Sequence, residues 1–373
     1  MAKEKAAKKA PASNSRSTSL AGLRGKIDRI DQELVDLMNQ RAAIALEIGK
    51  LKDSSGMDAY SPAREEEVIS RVLQLNKGPL AELSIRAVFR ELISGSRALE
   101  KLLRVAYLGP PYSYSHLAAI ERFGQNVELV PVASIPAVFE EVNRRHAEFG
   151  IVPVENSTDG RVADTLDMFS RLPVRICGEV QLRIHHNLLG KCARSEVEEV
   201  YSRPQALSQC RHWLSRHLPT ARTIEVTSTS TAAQLAQDKP GAAAIASVQA
   251  GVNYGLTVLA ANIEDHEGNL TRFAVIGEDT GARTGSDKCA LMFEIEHRPG
   301  ALADAMTIFK RNRLNLTWIE SFPIARPEGG YMFFVELEGH EQDLRVRKAT
   351  ASLERKTVRL EVLGSYAKMA PID

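Results

Sequence analysis

Residues 23–52 read LRGKIDRIDQELVDLMNQRAAIALEIGKLK, and the spacing of their apolar side chains decides the first part of the fold. These side chains recur by four and three residues in alternation, which places them on one face of an α-helix. The members of this face are Leu23, Ile27, Ile30, Leu34, Leu37, Ile44, Ile48 and Leu51. The pattern predicts a helix over 21–52 that is about 48 Å long. Because a small domain is narrower than that, a second copy of the chain is the simplest partner for the whole face.

Two further helices are predicted over 62–76 and 81–102, separated by Lys77-Gly78-Pro79. Together with the first helix they form an all-helical domain over 20–103. Residues 1–19 are rich in Ala, Lys and Ser and have little to bury, so they are predicted to be a disordered basic tail.

An α/β domain is predicted over 104–277. Short apolar runs alternate there with helical patterns, which is typical of a largely parallel sheet covered by helices. The runs lie at 105–108, 127–132, 149–154, 174–180, 197–201 and 243–246. The polar residues 278–287 are interpreted as a linker.

The last unit, 288–366, has the predicted order strand, helix, strand, strand, helix, strand. This order is typical of the ferredoxin-like α+β arrangement. The strands are predicted at 289–295, 315–324, 331–337 and 358–363, and the helices at 301–313 and 341–354.

Composition excludes several classes of protein. The 373 residues carry a formal net charge of +1, with 44% hydrophobic and 25% charged residues. These values argue against a disordered chain and against one that coats nucleic acid. No apolar stretch reaches about 18 residues, and the start lacks the apolar core of a secretory signal, so neither membrane insertion nor secretion is predicted. The four cysteines stand singly, and neither metal-ligand spacing nor a cofactor motif is found, so we expect reduced thiols, a cytoplasmic location and no cofactor.

A cation interrupts the apolar face of the first helix. Continuing the four-and-three register past Leu37 places Arg41 on that face. Lys52 lies about 20° from Arg41 around the helix and shares the face, whereas Arg24 lies about 100° away. Arg24 therefore fits a pocket of a partner chain better than the pocket of its own chain.

A buried Arg needs a partner, because an unpaired buried charge costs several kcal/mol. One interpretation pairs Arg41 with a Glu of a neighbouring helix, either Glu65 or Glu91. The interpretation that we favour is an anion site, because Arg24, Lys52 and Arg64 are also able to point inward.

The helical domain resembles the AroQ-type chorismate mutases, which are all-helical intertwined dimers. The residues that carry the resemblance are Leu23-Arg24, Arg41, Gly49-Lys50-Leu51-Lys52, Arg64-Glu65, Ser96 and Glu100. The resemblance implies that Arg41 and Arg24 of the partner subunit hold the two carboxylates of chorismate. It implies that Lys52 donates to the ether oxygen, where charge grows during the rearrangement.

The remaining mutase residues follow from the same resemblance. Glu65 would take the ring hydroxyl, and Arg64 and Ser96 would line the pocket. Glu100 stands where some relatives have Gln beside the ether oxygen, and a carboxyl group there donates only when it is protonated.

Four strings in the α/β domain place hydroxyl and amide groups directly after apolar strands, where open α/β sheets bind ligands. They are Glu155-Asn156-Ser157-Thr158, His186-Asn187, Tyr201-Ser202 with Gln209, and Asn269-Leu270-Thr271-Arg272-Phe273. Each string taken singly is equally well explained by helix capping. The adjacent His185 and His186 are not interpreted as a metal pair, because neighbouring strand residues point to opposite faces.

Together these strings resemble prephenate dehydratase over 104–277, which implies two α/β lobes that close on the substrate as in solute-binding proteins. The resemblance implies that Thr271 is the catalytic hydroxyl that helps hydroxide to leave. The other residues that it assigns to the substrate site are Glu155, Asn156, Ser157, Ser202, Gln209, Arg272 and Phe273. Among these, Arg272 would counter a carboxylate and Glu155 would be a proton source. One loop differs from the family, because Tyr112 replaces a Gly and requires a different backbone or opens a different pocket.

The last unit resembles the ACT domain, in which phenylalanine binds between paired domains. The resemblance places the effector at Gly300, Ala301 and Leu302 and at Glu320 and Ser321. Phe322 stands where relatives have Arg, which adds weight to the alternative of a dimerisation module without a ligand. We still expect phenylalanine to bind between paired domains, but to inhibit the dehydratase more weakly.

The order of the three parts is that of the bifunctional chorismate mutase/prephenate dehydratases. It implies chorismate and prephenate as substrates, phenylalanine as effector and a homodimer. Two alternatives remain at this point: the same architecture acting on arogenate, and an amino-acid-sensing protein with a degenerate pair of lobes.

Overall fold

The computed structural model describes residues 19–55, 60–158, 160–266, 268–324 and 330–372. The predicted disordered tail lies outside the described residues except for Ser19. The chain forms two compact units, and the second begins at Tyr60.

The described part of the first unit is one helix, α1 (Leu20–Ser55). It confirms the helix predicted over 21–52 and has 36 residues, which correspond to about 54 Å. The apolar face defined above is exposed along this helix, with Leu34 50% and Leu37 60% accessible.

The second unit opens with α2 (Pro62–Leu75) and α3 (Glu82–Glu100), which confirm the two shorter predicted helices. The predicted all-helical domain, 20–103, is therefore divided between the two units. Helix α3 is anchored to the α/β part, where Arg97 Nη2 donates to the carbonyl oxygen of Phe123 at 2.5 Å.

Residues 104–277 form two α/β lobes. Their strands are β1 (Arg104–Leu108), β2 (Glu128–Val132), β3 (Phe149–Asn156), β4 (Gly160–Arg161), β5 (Arg175–Arg183), β6 (Asn187–Gly190), β7 (Glu199–Ser202), β8 (Arg222–Glu225), β9 (Ala242–Ala246), β10 (Thr257–Ala260) and β11 (Leu270–Gly277). Their helices are α4 (Tyr114–Phe123), α5 (Ile135–Asn143), α6 (Ala163–Arg171), α7 (Pro204–Gln209), α8 (Arg211–His217), α9 (Thr229–Asp238) and α10 (Val248–Asn253). Ser113 and Ser228 cap α4 and α9 by accepting a backbone N–H.

The prediction of a largely parallel sheet holds for both lobes, except that one strand in the main strand order of each sheet is reversed. Lobe 1 has the strand order β2-β1-β3-β11-β5, and β11 runs antiparallel to both of its neighbours. Lobe 2 has the order β10-β6-β9-β7-β8, in which β7 is parallel to β8 and β9 while β6 is antiparallel to β9 and β10. The physical reason in lobe 1 is that β11 returns from lobe 2 and enters the sheet in the reverse direction.

Lobe 2 is inserted in the chain of lobe 1. The chain leaves lobe 1 after β5, builds β6 to β10, and returns as β11. Two crossovers connect the lobes, namely 184–186 on the way out and, among the described residues, 261–266 with 268–269 on the return.

The C-terminal domain confirms the predicted order of strands and helices. Its elements are β12 (Asp287–Ile295), α11 (Ala301–Arg311), β13 (Leu316–Pro323), β14 (Tyr331–Glu338), α12 (Leu344–Glu354) and β15 (Arg359–Ala367). The sheet order is β13-β14-β12-β15, with every neighbouring pair antiparallel.

This C-terminal sheet packs against lobe 1. One buried apolar cluster contains Ala274 and Ile276 of β11 together with Met292, Phe334 and Leu363 of the C-terminal domain. Beyond β15, the last described residue, Ile372, pairs with the edge strand β5 by donating to the Gln181 carbonyl at 2.9 Å.

None of the helices in the described ranges combines the length and apolar character that crossing a bilayer requires.

Candidate active site

A cavity of about 650 Å³ lies between the two lobes. Strand ends, strand starts and helix starts line it, and its polar lining includes Asn156, His186, Arg203, Gln209, Asn269 and Thr271. Four of the predicted dehydratase residues, Asn156, Gln209, Thr271 and Phe273, therefore meet at one cavity.

Thr271 lies opposite Asn156 in the ladder between β11 and β3. Asn156 Nδ2 donates to Thr271 Oγ1 at 2.8 Å. We expected each polar string directly after a strand, but Thr271 is the second residue of β11. The two residues still meet, because the start of an antiparallel strand lies beside the end of its neighbour.

Thr271 and Asn156 belong to a chain of hydrogen bonds that we call the relay, formed by His186, Gln209, Asn269, Asn156 and Thr271. Asn156 Nδ2 also donates to Asn269 Oδ1 at 3.0 Å, and Asn269 Nδ2 donates to Gln209 Oε1 at 3.0 Å. His186 Nε2 lies 2.7 Å from the same oxygen of Gln209. The relay orients the Asn156 amide so that Thr271 Oγ1 accepts from it, which leaves the Thr271 proton available to donate.

His186 is buried, and desolvation lowers its pKa from the ordinary value. The neutral ring carries one proton, and because Gln209 Oε1 is an acceptor, that proton is on Nε2. The sequence analysis quoted His186 in one of the four strings and rejected a metal pair with His185, but it gave His186 no role in the site. His185 points elsewhere, and its Nδ1 lies 2.8 Å from Glu264 Oε1.

Asn269 was quoted in the sequence but given no role. It sits on the return crossover and contacts groups of both lobes through Asn156 and Gln209. Its position directly before Leu270-Thr271 is the signal that could have identified it.

Two predicted substrate-site serines lie away from the cavity lining. Ser202 is fully buried and donates to the Ile245 carbonyl at 2.7 Å. Ser157 Oγ accepts the backbone N–H of Leu270 at 2.9 Å and so fixes the start of β11. Phe273, by contrast, is buried and lines the cavity.

Arg272 and Glu155 lie on the opposite face of the ladder from Thr271 and Asn156, because successive strand residues alternate. Arg272 Nη1 donates to Glu155 Oε2 at 2.8 Å, and Nη2 contacts both carboxylate oxygens of Glu336 at 2.5 and 2.6 Å. The resemblance gave Arg272 a substrate carboxylate, whereas in the structure its guanidinium is held by carboxylates of the protein.

Arg203 is the only Lys or Arg among the described residues that line the cavity. Its side chain is exposed, and its Nε donates to Gln205 Oε1 at 2.9 Å. It immediately precedes α7, a position that sequence analysis passed over in favour of Ser202 and Gln209.

Tyr112 has a φ of +64°, in the left-handed region that glycine favours. Its backbone N–H donates to His116 Nδ1 at 3.1 Å, and its ring lies edge-on to that of Tyr254. Tyr112 therefore occupies a backbone conformation that is readily open to glycine and strained for Tyr. Its side chain does not line the cavity.

The predicted mutase residues are distributed over both units. Arg24, Arg41 and Lys52 lie on α1. On α2, Arg64 pairs with Glu67 at 2.7 Å, and Glu65 pairs with the buried Arg97.

The other two mutase residues are on α3. Ser96 Oγ donates to the Leu92 carbonyl at 2.7 Å, and Glu100 is the last residue of the helix. Glu91, a proposed alternative partner for Arg41, accepts from Arg90 Nε at 3.1 Å and from the Gln125 backbone at 2.9 Å.

The predicted effector residues lie at two places in the C-terminal domain. Gly300 has a φ of +82° and precedes α11, which begins with Ala301 and Leu302. Glu320 and Ser321 lie on β13. Arg161 of β4 donates from Nη1 to Glu320 Oε2 at 3.1 Å and to the Ser321 carbonyl at 2.7 Å.

Phe322 packs away from these groups. Its ring lies 5.9 Å from that of Phe334 and joins the apolar cluster between the C-terminal sheet and lobe 1.

Three family models match the chain in order. Residues 23–101 match chorismate mutase type II, residues 105–281 match prephenate dehydratase, and residues 290–355 match the ACT domain. The bifunctional chorismate mutase/prephenate dehydratase of Aquifex aeolicus is 43% identical over 94% of this chain and 98% of its own length. The chain belongs to the bifunctional chorismate mutase/prephenate dehydratase family. A second bifunctional chorismate mutase/prephenate dehydratase, from Stutzerimonas stutzeri, is 41% identical over 95% of this chain and 99% of its own.

Among solved structures, the chain is similar to a prephenate dehydratase from Arthrobacter aurescens in complex with L-Phe. That structure has a TM-score of 0.67 and 31% identity, and the match covers 71% of this chain and 90% of the other. The family resemblance and the three-part order predicted from sequence are thereby confirmed. This bifunctional enzyme carries a chorismate mutase and a prephenate dehydratase domain, so a sensor with degenerate lobes is not supported.

Proposed function

We propose that the cavity between the lobes converts prephenate to phenylpyruvate, with Thr271 as the hydrogen-bond donor to the departing hydroxyl. The observation that carries this proposal is the bond from Asn156 Nδ2 to Thr271 Oγ1. Because the oxygen of Thr271 is the acceptor in that bond, its own proton is available for the substrate.

The reaction breaks two bonds and forms an aromatic ring. The ring carboxylate leaves as CO₂, the electron pair of that C–C bond enters the ring, and the ring expels hydroxide from the opposite carbon. The hydroxide becomes water by taking a proton from solvent. A neutral donor placed at the departing oxygen lowers the barrier by stabilising the charge that develops there.

Prephenate carries two carboxylates, so its site needs cationic or N–H donors. Arg203 supports the assignment, because it places a positive charge among the described residues that line the cavity. The relay amides of Gln209 and Asn269 would position the substrate beside Thr271. Arg272 is left out of the substrate site, because Glu155 and Glu336 already hold its guanidinium.

The helical domain would supply the prephenate by rearranging chorismate. The reaction is pericyclic and needs no nucleophile, so the site only has to hold the reactive conformer and stabilise charge on the ether oxygen. The residues assigned to it remain Arg24 of the partner subunit with Arg41, Lys52, Arg64, Glu65, Ser96 and Glu100.

A homodimer is part of this proposal. The apolar face of α1 is exposed along about 54 Å of helix. An apolar face of this length is typical of a helix that packs against another protein surface. A second copy of α1 is the partner that also brings Arg24 of the partner subunit to the mutase site.

Phenylalanine is the proposed effector, bound at Gly300–Leu302 and at Glu320 and Ser321 between paired ACT domains. The ACT match and the relative solved with L-Phe support this assignment. Four free thiols support a reducing compartment, and we propose the cytoplasm.

The test is a three-substrate assay on the full chain. We expect chorismate to yield prephenate and then phenylpyruvate, and added prephenate to yield phenylpyruvate directly. Arogenate should give phenylalanine far more slowly, because Tyr112, the residue at which the dehydratase loop differs from the family, lies outside the cavity lining. Failure to form phenylpyruvate from prephenate would exclude the proposed dehydratase activity. Faster turnover of arogenate than of prephenate would mean that arogenate is the substrate of this site.

A further inference from the structure

Strand β11 has a catalytic face and a face that meets the ACT domain. Thr271 and Asn156 are paired across the ladder on the cavity side, and the next pair, Arg272 and Glu155, points toward the ACT sheet. Because the strand is one stiff backbone, the position of Arg272 constrains that of Thr271.

Arg272 is held at that second face by a buried carboxylate of the ACT domain. Glu336, on β14, is 4% exposed and places both carboxylate oxygens within 2.6 Å of Arg272 Nη2. Tyr366 of β15 donates to Glu336 Oε1 at 2.7 Å, and the Trp318 ring lies 5.6 Å from the Arg272 guanidinium.

Further charged side chains surround the pair of Arg272 and Glu336. Lys288 Nζ lies 2.8 Å from Glu179 Oε2 and 3.8 Å from Glu336 Oε2, and Arg272 Nη2 lies 3.5 Å from Glu179. Two cations therefore face three carboxylates at the boundary between the ACT sheet and lobe 1, counting Glu155. A buried ion pair of this kind often adds little net stability but fixes one geometry, since each charge is costly without its partner.

We propose that Glu336 is a positioning residue for the dehydratase reaction, supplied by the ACT domain and acting through Arg272 on Thr271 and Asn156. The inference rests on the proposed role of Thr271. It makes the ACT sheet part of the scaffold that aims the catalytic hydroxyl.

The central experiment compares Glu336→Gln with Glu338→Gln. Glu338 lies two residues along the same strand, and its partners, Lys368 and Asn315, are away from β11. Misplacing a catalytic group by about 1 Å can cost roughly 100-fold in rate, so we expect Glu336→Gln to lower the dehydratase kcat roughly 10- to 100-fold. KM should stay within about twofold, because the groups that bind substrate are not removed. Glu338→Gln should retain the wild-type kcat.

Mutase turnover on the same chain reports whether the variant is folded. We expect it to be unchanged in both variants. A parallel loss of mutase and dehydratase in Glu336→Gln would mean a general folding defect and overturn the proposal, as would a dehydratase kcat within twofold of wild type.

A double-mutant cycle tests whether Glu336 acts through Arg272. In an Arg272→Gln background, Glu336→Gln should cause little further loss of kcat, because the pair is already broken. Multiplicative losses would refute action through Arg272. The dehydratase turnover of Thr271→Ala is measured in the same assay. If Thr271→Ala abolishes turnover while Glu336→Gln keeps the wild-type kcat, only the present inference fails. If Thr271→Ala remains active, both the role of Thr271 and the present inference are refuted.

Discussion

Asn156 Nδ2 donates to Thr271 Oγ1 at 2.8 Å across the ladder between β3 and β11. The second acceptor of the same Asn156 nitrogen is Asn269, whose own amide is fixed by Gln209. Gln209 Oε1 accepts from both His186 and Asn269, whereas Asn156 Nδ2 donates to both Asn269 and Thr271. Thr271 Oγ1 is therefore an acceptor at one end of the relay, and its own proton remains available to donate.

Removing the Thr271 hydroxyl should stop the dehydratase selectively. We expect Thr271→Ala to lower its kcat about 100- to 1000-fold, the usual cost of one donor to a developing oxyanion. Mutase turnover should stay near wild type. Thr271→Ser is the matched control, because it keeps a hydroxyl on the same backbone position and should retain measurable turnover. Phenylpyruvate formation at the wild-type rate in Thr271→Ala would contradict the assignment.

The burial of His186 predicts a pH effect on stability. Its pKa is lowered in the folded protein relative to the unfolded value of about 6.5. The unfolded state therefore takes up a proton first, so the contribution to stability is complete above about 6.5 and is lost as pH falls through the lower folded pKa.

We expect the thermal midpoint to fall between about pH 7 and pH 5, and to fall less in His186→Gln. His212→Gln, at an exposed position, is the control and should follow wild type. Parallel midpoint curves for wild type and His186→Gln would rule out a lowered pKa at this residue.

Because the face of α1 is apolar, we expect that a single charged side chain introduced on it disrupts the mutase. In Leu34→Asp the carboxylate would be buried in the proposed contact between two copies of α1, so we expect mutase turnover to be lost with that contact. Dehydratase turnover per chain should persist. Glu33→Gln, which changes a neighbouring polar residue, is the control. Sedimentation and both assays check this, and full mutase activity in Leu34→Asp would argue against the shared site.

Arg161 links the predicted effector residues to the relay. It contacts Glu320 and Ser321, and it lies on β4, which pairs with Glu155 and Asn156 of β3. We expect Arg161→Gln to weaken inhibition by phenylalanine about tenfold, as the loss of one charge-assisted hydrogen bond would. Uninhibited turnover should change little.

The control for Arg161 is Arg171→Gln, which removes only an exposed pair with Asp167. Phenylalanine titrations of dehydratase activity compare the two variants with wild type. An unchanged half-inhibitory concentration in Arg161→Gln would exclude this link.

Local pattern predicted the elements better than the pairing of strands. The four-and-three spacing located α1, and the alternation of runs located most strands. The direction of β11 depends on where lobe 2 ends, which is a property of the whole chain and has no local signal.

The same limit explains the outcome for site residues. Thr271, Asn156 and Gln209 were identified through the family resemblance, and their side chains face the cavity. Arg272 follows Thr271 in sequence, but strand alternation sends it to the ACT side, and the carboxylate that holds it, Glu336, comes 64 residues later in the chain. His186 was quoted without a role, because its partner, Gln209, lies 23 residues later in the chain.

The two crossovers between the lobes carry His186 and Asn269, and the amide that joins these two residues, Gln209, belongs to lobe 2. Separating the lobes must therefore lengthen the contacts of Gln209 before it disturbs the pair Asn156–Thr271. The pair itself lies within lobe 1, so the contacts of Gln209 are what tie the proposed donor to the second lobe. A substitution that shortens the Gln209 side chain would therefore cut this polar connection while leaving Asn156 and Thr271 side by side.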